Sequence, residues 1–133
     1  MATVRPTVLV VEDDDALRRF IRRTLTEAGY DVVEASGGLE ARQVALGRDI
    51  PIGLAVLDIV MAAGSGLDFA NELLLERPST PILYISGFAD SLAVESIQRR
   101  TPDSILLKPF TASAFLDRVQ RLMPSAAKNG ESA

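Results

Sequence analysis

"TVLVVEDDDALRRFIRRTLTEAG", residues 7–29, contains an apolar run, a group of four acids and an amphipathic segment in succession. Residues 7–12 are rich in β-branched side chains, which is typical of a strand buried on both faces of a parallel sheet. From residue 15 to 28 the apolar residues recur at helical spacings, and Gly29 follows where a left-handed cap is favoured. The stretch therefore predicts one strand–helix unit with acids at its junction.

The same alternation of strand and helix repeats along the chain. Further strands are predicted at 30–35, 53–58, 81–87 and 103–108, and further helices at 39–46, 66–76, 90–100 and 111–123. Five such units predict an α/β fold with a single doubly wound parallel sheet. We expect one domain over residues 1–123 and a disordered polar tail over 124–133.

The composition excludes several classes of protein. The 133 residues are 47% hydrophobic and 24% charged, as in a soluble globular domain. A formal net charge of -4 argues against direct nucleic-acid binding. No apolar stretch reaches the roughly 20 residues of a membrane helix, and residues 1–7 lack a signal-peptide core. We therefore expect a cytoplasmic protein that binds neither nucleic acid nor membrane.

Cysteine and histidine do not occur in the sequence. Thiol nucleophiles, thiolate metal sites and imidazole bases are therefore excluded. A bound metal would have to use oxygen ligands, which suit Mg²⁺, Ca²⁺ or Mn²⁺ better than zinc or copper.

Polar residues end four of the predicted strands. They are Glu12 and Asp13 for the first strand, Asp58 for the third, Ser86 for the fourth and Lys108 for the fifth. Ligands of doubly wound sheets bind outside the carboxyl ends of the strands, where the strand order reverses. A carboxylate that ends an apolar strand, as Asp58 does, is partly desolvated unless a cation or a donor meets it. Acids, a hydroxyl and an ammonium group are thus predicted to converge.

These motifs, in this order, resemble the receiver domain of bacterial two-component response regulators. They are the acid pair at 12–13, LDIVM at 57–61, ISG at 85–87 and LLKPF at 106–110. The resemblance covers about residues 6–123 and implies a flavodoxin-like sheet of strand order 2-1-3-4-5, as in single-domain chemotaxis-type receivers. It implies a phospho-acceptor that phosphorylates and slowly dephosphorylates itself, rather than an enzyme that turns over an external substrate.

The resemblance also assigns roles to the strand-end residues. Asp58 would accept a phosphoryl group from a sensor histidine kinase or a histidine phosphotransfer protein, and Ser86 and Lys108 would hold its oxygens. The implied ligands of Mg²⁺, or of Mn²⁺, are Glu12, Asp13, Asp58 and the backbone carbonyl of Val60. Phosphoryl transfer requires positioning and cationic stabilisation of this kind. The downstream target protein is not identified by the sequence.

Some positions depart from the family's pattern or follow it loosely. Many receivers carry Tyr or Phe at the position of Ile105. Phe88 or Tyr84 is a candidate to supply the aromatic ring that Ile105 lacks. The apolar residues Val60 and Phe88 border the expected path of attacking water and predict slow hydrolysis of the phosphoaspartate. Ala62 stands where the family often has proline, so the loop behind Asp58 is expected to be less rigid.

Several features have a structural and a functional interpretation. Asp14 and Asp15 are expected to begin the first helix, where aspartate caps and the helix dipole favour anions. The Lys108–Pro109 bond is typically cis in the family or is an ordinary turn. Gly66 matches the family's loop glycine, which is compatible with its being a flexible turn. A basic stripe is a solvated face or a docking surface for the kinase, and consists of Arg18, Arg19, Arg22 and Arg23.

Other functions remain open at this point. A phosphatase of the haloacid dehalogenase class also uses a strand-end aspartate, but its general acid would fall at residue 60, which is valine. A nucleotide or flavin binder would need a glycine-rich loop after the first strand, and the sequence has none there. The chain is alternatively the terminal receiver of a hybrid histidine kinase, or a pseudo-receiver that binds partners without phosphorylation.

Overall fold

A computed structural model describes residues 7–61, 64–87 and 91–123. Its main elements alternate as predicted. The strands are β1 Thr7–Val11, β2 Asp31–Ala35, β3 Leu54–Asp58, β4 Ile82–Ser86 and β5 Ile105–Leu107, and the helices are α1 Asp15–Glu27, α2 Gly38–Ala45, α3 Gly66–Glu76, α4 Leu92–Arg100 and α5 Ala112–Leu122.

The five strands form one parallel sheet of order β2-β1-β3-β4-β5. This order and the flavodoxin-like fold confirm the prediction. The order reverses between β1 and β3, so the carboxyl ends of these two strands flank the crevice in which such sheets bind ligands.

Helices cover both faces of the sheet, which explains why the strand sequences are continuously apolar. Val8 and Val10 of β1 face α1 and α5, where they meet Ile21 and Phe115. The alternate β1 residues face α2 and α3, in a cluster that includes Ala41, Phe69 and Leu73. A smaller cluster of Ile59, Val94 and Ile105 lies between the sheet and α4. Burial of these apolar side chains is the main stabilising term of the fold.

The first helix begins and ends as its sequence predicts. The Asp14 carboxylate accepts hydrogen bonds from the amides of Ala16 and Leu17, at 3.0 and 3.2 Å, and so caps the helix. Asp15 is the first helical residue. Gly29, with φ of 99°, ends the helix in the left-handed region.

Two local features differ from the prediction. Residues Pro102–Ser104 form a 3₁₀ turn, so β5 begins at Ile105 and not at 103. Proline suits the first turn of a helix because its missing N–H would have no partner there. A short antiparallel hairpin, unpredicted, pairs Val60–Met61 with Gly64–Ser65 directly after β3.

Predictions for Ala62, Phe88 and the tail over 124–133 fall outside the described residues. Within the described part of the chain, none of the helices has the length and apolar character needed to cross a bilayer.

Candidate functional site

Three carboxylates and one ammonium group meet at the carboxyl ends of β1, β3 and β5. One oxygen each from Glu12, Asp13 and Asp58 lies within 4.8 Å of the others. Lys108 Nζ lies 2.8 Å from Asp58 Oδ2 and 3.4 Å from Glu12 Oε1. The structure thus brings together four of the strand-end residues singled out in the sequence.

Asp58 is a buried carboxylate with a donor on each oxygen. It ends the fully buried strand β3 and is 4% exposed. Its Oδ1 accepts a hydrogen bond from the Val60 N–H at 3.0 Å, and its Oδ2 accepts one from Lys108. A buried charge needs such partners, because an unpaired one would be strongly destabilising. The two donors also fix the orientation of the carboxylate.

Glu12 is the more unusual group, since it is 1% exposed and incompletely hydrogen-bonded. Its Oε2 accepts a hydrogen bond from the Asp14 N–H at 3.1 Å. Among the described residues no group donates one to Oε1, although Lys108 Nζ lies 3.4 Å away. Burial raises the pKa of Glu12 to about 7, and the neighbouring Asp58 adds to the rise. An orphaned buried oxygen costs free energy that a cation bound there would recover.

Lys108 reaches the site from just beyond β5. Its backbone N–H donates to the Ser86 carbonyl at 2.8 Å, and the Lys108–Pro109 bond is cis, as the resemblance implies. Burial alone would lower the pKa of Lys108, but the hydrogen bond to Asp58 and the charges of Glu12 and Asp58 raise it above its ordinary value. The side chain is therefore a permanent cation in this site.

The charges and atoms of the cluster fit a hard divalent cation. Three carboxylates face a single ammonium group, and two of the three are buried. The exposed Asp13 leaves one side of the cluster accessible to water. Mg²⁺ in proteins typically keeps several waters and takes one or two carboxylates, so Glu12, Asp13 and Asp58 could bind it.

Ser86 and Val60 border this cluster. Ser86 ends β4, is buried, and neighbours β5 through its pairing with Leu107. Val60 lies in the short hairpin after β3 with its side chain 53% exposed. The resemblance assigned roles to the carbonyl and the side chain of Val60, but not to its N–H. The hydrogen bond from its N–H to Asp58 is an additional contribution.

The loop after Asp58 is held by two residues of the α3 N-terminus. A Cβ atom on Gly66 would lie 2.0 Å from the Asp58 carbonyl oxygen, and the Gly66 N–H donates to the Ile59 carbonyl at 3.0 Å. Close packing of two backbone segments thus requires glycine at this position, a reason that the sequence did not indicate. Ser65 caps α3 and also donates to the Ile59 carbonyl, a role that its position before the helix could have indicated.

The basic stripe on α1 is partly engaged within the chain. Glu34 of β2 forms ion pairs with Arg18 Nε at 3.3 Å and with Arg22 Nε at 3.1 Å. The pair of Arg22, whose side chain is 48% exposed, agrees with the solvated-face interpretation, whereas the Arg18 side chain is only 17% exposed. Arg19 and Arg23 are exposed.

The structure also locates Ile105, Tyr84 and Phe110. Ile105 is buried and pairs in register with the half-buried Tyr84. Burial raises the pKa of Tyr84. Phe110 stacks on Phe115 with ring centroids 5.7 Å apart, and its ring centroid lies 6.4 Å from that of Phe20, so the ring packs against neighbouring aromatic side chains.

Comparison with known proteins agrees with this geometry. The sequence profile described as "Response regulator receiver domain" matches residues 8–120. The sensor kinase CckA of Brucella abortus is 32% identical over 119 residues, which are 88% of this chain and 12% of that kinase. The response regulator receiver protein CpdR of the same organism is 28% identical over 119 residues, 90% of this chain and 98% of CpdR.

The fold is also found among solved structures. A CheY-like receiver domain protein from Methanospirillum hungatei superposes with a TM-score of 0.81 at 21% identity, covering 95% of this chain and 99% of that one. This likeness shows a shared fold, and the profile match over residues 8–120 shows that the chain belongs to the family of response regulator receiver domains.

Proposed function

We propose that Asp58 accepts a phosphoryl group from a histidine of a sensor kinase or of a histidine phosphotransfer protein, in a Mg²⁺-dependent phosphorelay in the cytoplasm. The observation that carries this proposal is the placement of Asp58 at the end of β3. Lys108 Nζ lies 2.8 Å from it, and oxygens of Glu12 and Asp13 lie within 4.8 Å. The donor imidazole must come from another protein, because this chain has no histidine.

In the transfer step an Asp58 carboxylate oxygen forms a bond to phosphorus. The bond from phosphorus to the donor imidazole breaks, and the imidazole keeps its electron pair. Lys108, which now donates to Asp58 Oδ2, would shift to a phosphoryl oxygen, while the Val60 N–H holds Oδ1. The Ser86 hydroxyl, at the end of β4, would donate to another phosphoryl oxygen. Catalysis is then mainly positioning and charge stabilisation.

The proposed ligands of Mg²⁺, or of Mn²⁺, are the carboxylates of Glu12, Asp13 and Asp58 and the backbone carbonyl of Val60. When bound, the ion supplies positive charge beside the phosphoryl oxygens. The orphaned Glu12 Oε1 and the excess of carboxylates over ammonium groups support this assignment.

The chemistry ends with a phosphoaspartate and not with a released product. A phosphatase with a strand-end aspartate would need a general acid near residue 60, where this chain has an apolar Val60 side chain. The Val60 N–H binds Asp58, and an apolar side chain at this position would hinder attacking water, so we expect slow hydrolysis. The phosphorylated protein then acts on a downstream protein target. The same site would serve as the terminal receiver of a hybrid kinase.

Acetyl phosphate with Mg²⁺ tests the proposal without a kinase. Mass spectrometry of the intact protein and its peptides should locate one phosphoryl group on Asp58. Asp58→Asn should abolish the modification, and Asp117→Asn, on the exposed side of α5 away from the cluster, should leave it unchanged. Modification of another acid, or none in the presence of Mg²⁺, would contradict the proposal and favour a pseudo-receiver.

A further inference from the structure

Arg18 connects three elements beside the acid cluster. Its Nη1 donates to the Glu12 carbonyl oxygen at 2.8 Å, its Nη2 donates to Asp15 Oδ1 at 2.6 Å, and its Nε lies 3.3 Å from Glu34 Oε1. The side chain is 17% exposed. One guanidinium group thus joins the end of β1 to the first turn of α1 and to β2.

The contact with the Glu12 carbonyl bears on the site because of where that peptide unit lies. The carbonyl belongs to the peptide that joins Glu12 to Asp13, and these residues supply two of the three clustered carboxylates. The Glu12 N–H is bonded to the Ala35 carbonyl of β2 at 3.1 Å. Arg18 therefore fixes the far side of Glu12, where the chain leaves the sheet.

Arg22 provides a natural comparison. It pairs with the same Glu34 at 3.1 Å, lies one helical turn further along α1, and is 48% exposed. Among the described residues it forms an ion pair with Glu34 and none with the acids of the turn between β1 and α1. The two arginines share charge and partner but differ in the contact with the Glu12 carbonyl.

We propose that Arg18 is a positioning residue of the cation site: by holding the Glu12–Asp13 peptide it directs both carboxylates toward the point that Asp58 also faces. The inference rests on the proposed function in taking the acid cluster as a divalent-cation site. The proposal gives Arg18 a supporting role beside the protein's own site and not a role in docking a partner.

Electrostatics alone predicts the opposite effect of removing Arg18. A positive charge beside a cation site repels the cation, so its loss should strengthen Mg²⁺ binding. Loss of a positioning contact should weaken it, and outer-shell partners of metal ligands typically contribute 10–100-fold to metal affinity. The sign of the change in affinity therefore distinguishes the two roles.

Amide NMR titration with Mg²⁺, in the absence of any phosphodonor, measures this affinity in the wild type and in R18A, R18K and R22A. We expect R18A to weaken binding by about 10-fold and R22A to leave it unchanged or slightly tighter. R18K keeps the charge but replaces three donor nitrogens by one, so it should recover less than half of the loss on a logarithmic scale. It also carries the test if R18A does not fold.

Hydrogen exchange of the Asp14 amide supplies a second measurement without metal, because that N–H donates to Glu12 Oε2. Its exchange should become faster in R18A and R18K and stay unchanged in R22A. Unchanged or tighter Mg²⁺ binding in R18A, equal weakening in R22A, or full recovery in R18K would overturn the inference. Failure of the wild type to bind Mg²⁺ would instead contradict the proposed function, and an Asp14 exchange rate unaffected by R18A would then refute the positioning contact as well.

Discussion

Two groups of charged side chains differ in burial and in the balance of their charges, and the difference separates a structural ion pair from a candidate functional site. Arg42 of α2 and Glu72 of α3 form a double contact, with Nε–Oε2 at 2.8 Å and Nη2–Oε2 at 2.5 Å, and about 40% of each side chain is exposed. The hydrogen bond lowers the pKa of Glu72 and raises that of Arg42. The two charges balance each other, and both side chains remain in contact with water.

The cluster around Asp58 has the opposite properties. Lys108 is shared between Asp58 and Glu12, both carboxylates are buried, and Glu12 Oε1 has no hydrogen bond among the described residues. The negative charges outnumber the positive one, and water reaches the cluster only on the side of Asp13 and Lys108. Such an arrangement could bind a cation, as the proposed function requires, whereas the Arg42–Glu72 pair joins two helices.

We expect the largest difference between the Asp58 cluster and the region of the Arg42–Glu72 pair in how much stability each loses when a methyl group is added. Gly66→Ala places a methyl group 2.0 Å from the backbone oxygen of Asp58, so the loop or the strand must move. We expect the free energy of unfolding to fall by about 3 kcal/mol or more, since overpacking typically costs 1–3 and a backbone cannot rotate away.

Gly37, just before α2, is the matched control, because nothing lies within 4 Å of its added Cβ and its φ is 179°, in the extended range. Gly37→Ala should be nearly neutral in urea unfolding. Equal losses of stability in both variants would show that the packing around Asp58 is not special.

The second difference should appear when each cation is removed. Lys108→Met leaves three carboxylates without an ammonium group, and breaking a buried pair typically costs 3–5 kcal/mol. Because Lys108 is partly exposed, we expect about 3 kcal/mol, the lower end of that range, in metal-free buffer at pH 8. Arg42→Met should change the urea midpoint barely measurably. A comparable loss in Arg42→Met would contradict the distinction between the two groups.

Some residues of this site could be predicted from the sequence and others could not, because different structural rules determine their positions. The convergence of Asp13, Asp58 and Lys108 follows from a rule of parallel sheets, since all strand ends of one direction lie at one edge. The reason for Gly66 could not be predicted, because it lies in the approach of two backbone segments. The Arg18 contact was equally hidden, since periodicity places a residue on a helix face but does not choose its partner.

The start of β5 shows the same limit at the level of secondary structure. Residues 103–108 have a strand-like pattern, but Pro102 begins a 3₁₀ turn that takes up the first two of them. The local sequence pattern predicted the strand β5, but Pro102, which favours the first turn of a helix, decided where the strand begins.

The smallest of the expected effects concerns pH. The pKa of Glu12 is raised from 4.5 to about 7 in the folded protein, so the folded state binds a proton more tightly than the unfolded state. The resulting stabilisation is fully present below pH 4.5 and is lost as the pH rises through about 7. Each pKa unit corresponds to roughly 1.4 kcal/mol, so this group should make the metal-free protein about 2 kcal/mol less stable at pH 7 than at pH 5.

Glu12→Gln isolates this contribution, because glutamine keeps the size of the side chain and removes its titration. Urea unfolding with a chelator present, compared between wild type and Glu12→Gln from pH 5 to 8, should show a stability difference that shifts in favour of the variant as the pH rises. Mg²⁺ should reduce the shift in the wild type, since the cation replaces the proton on the carboxylate. Glu72→Gln, in the balanced exposed pair, should show no such trend. A constant difference between wild type and Glu12→Gln would mean that Glu12 is already ionised at pH 5, and that Lys108 compensates its burial without a second cation.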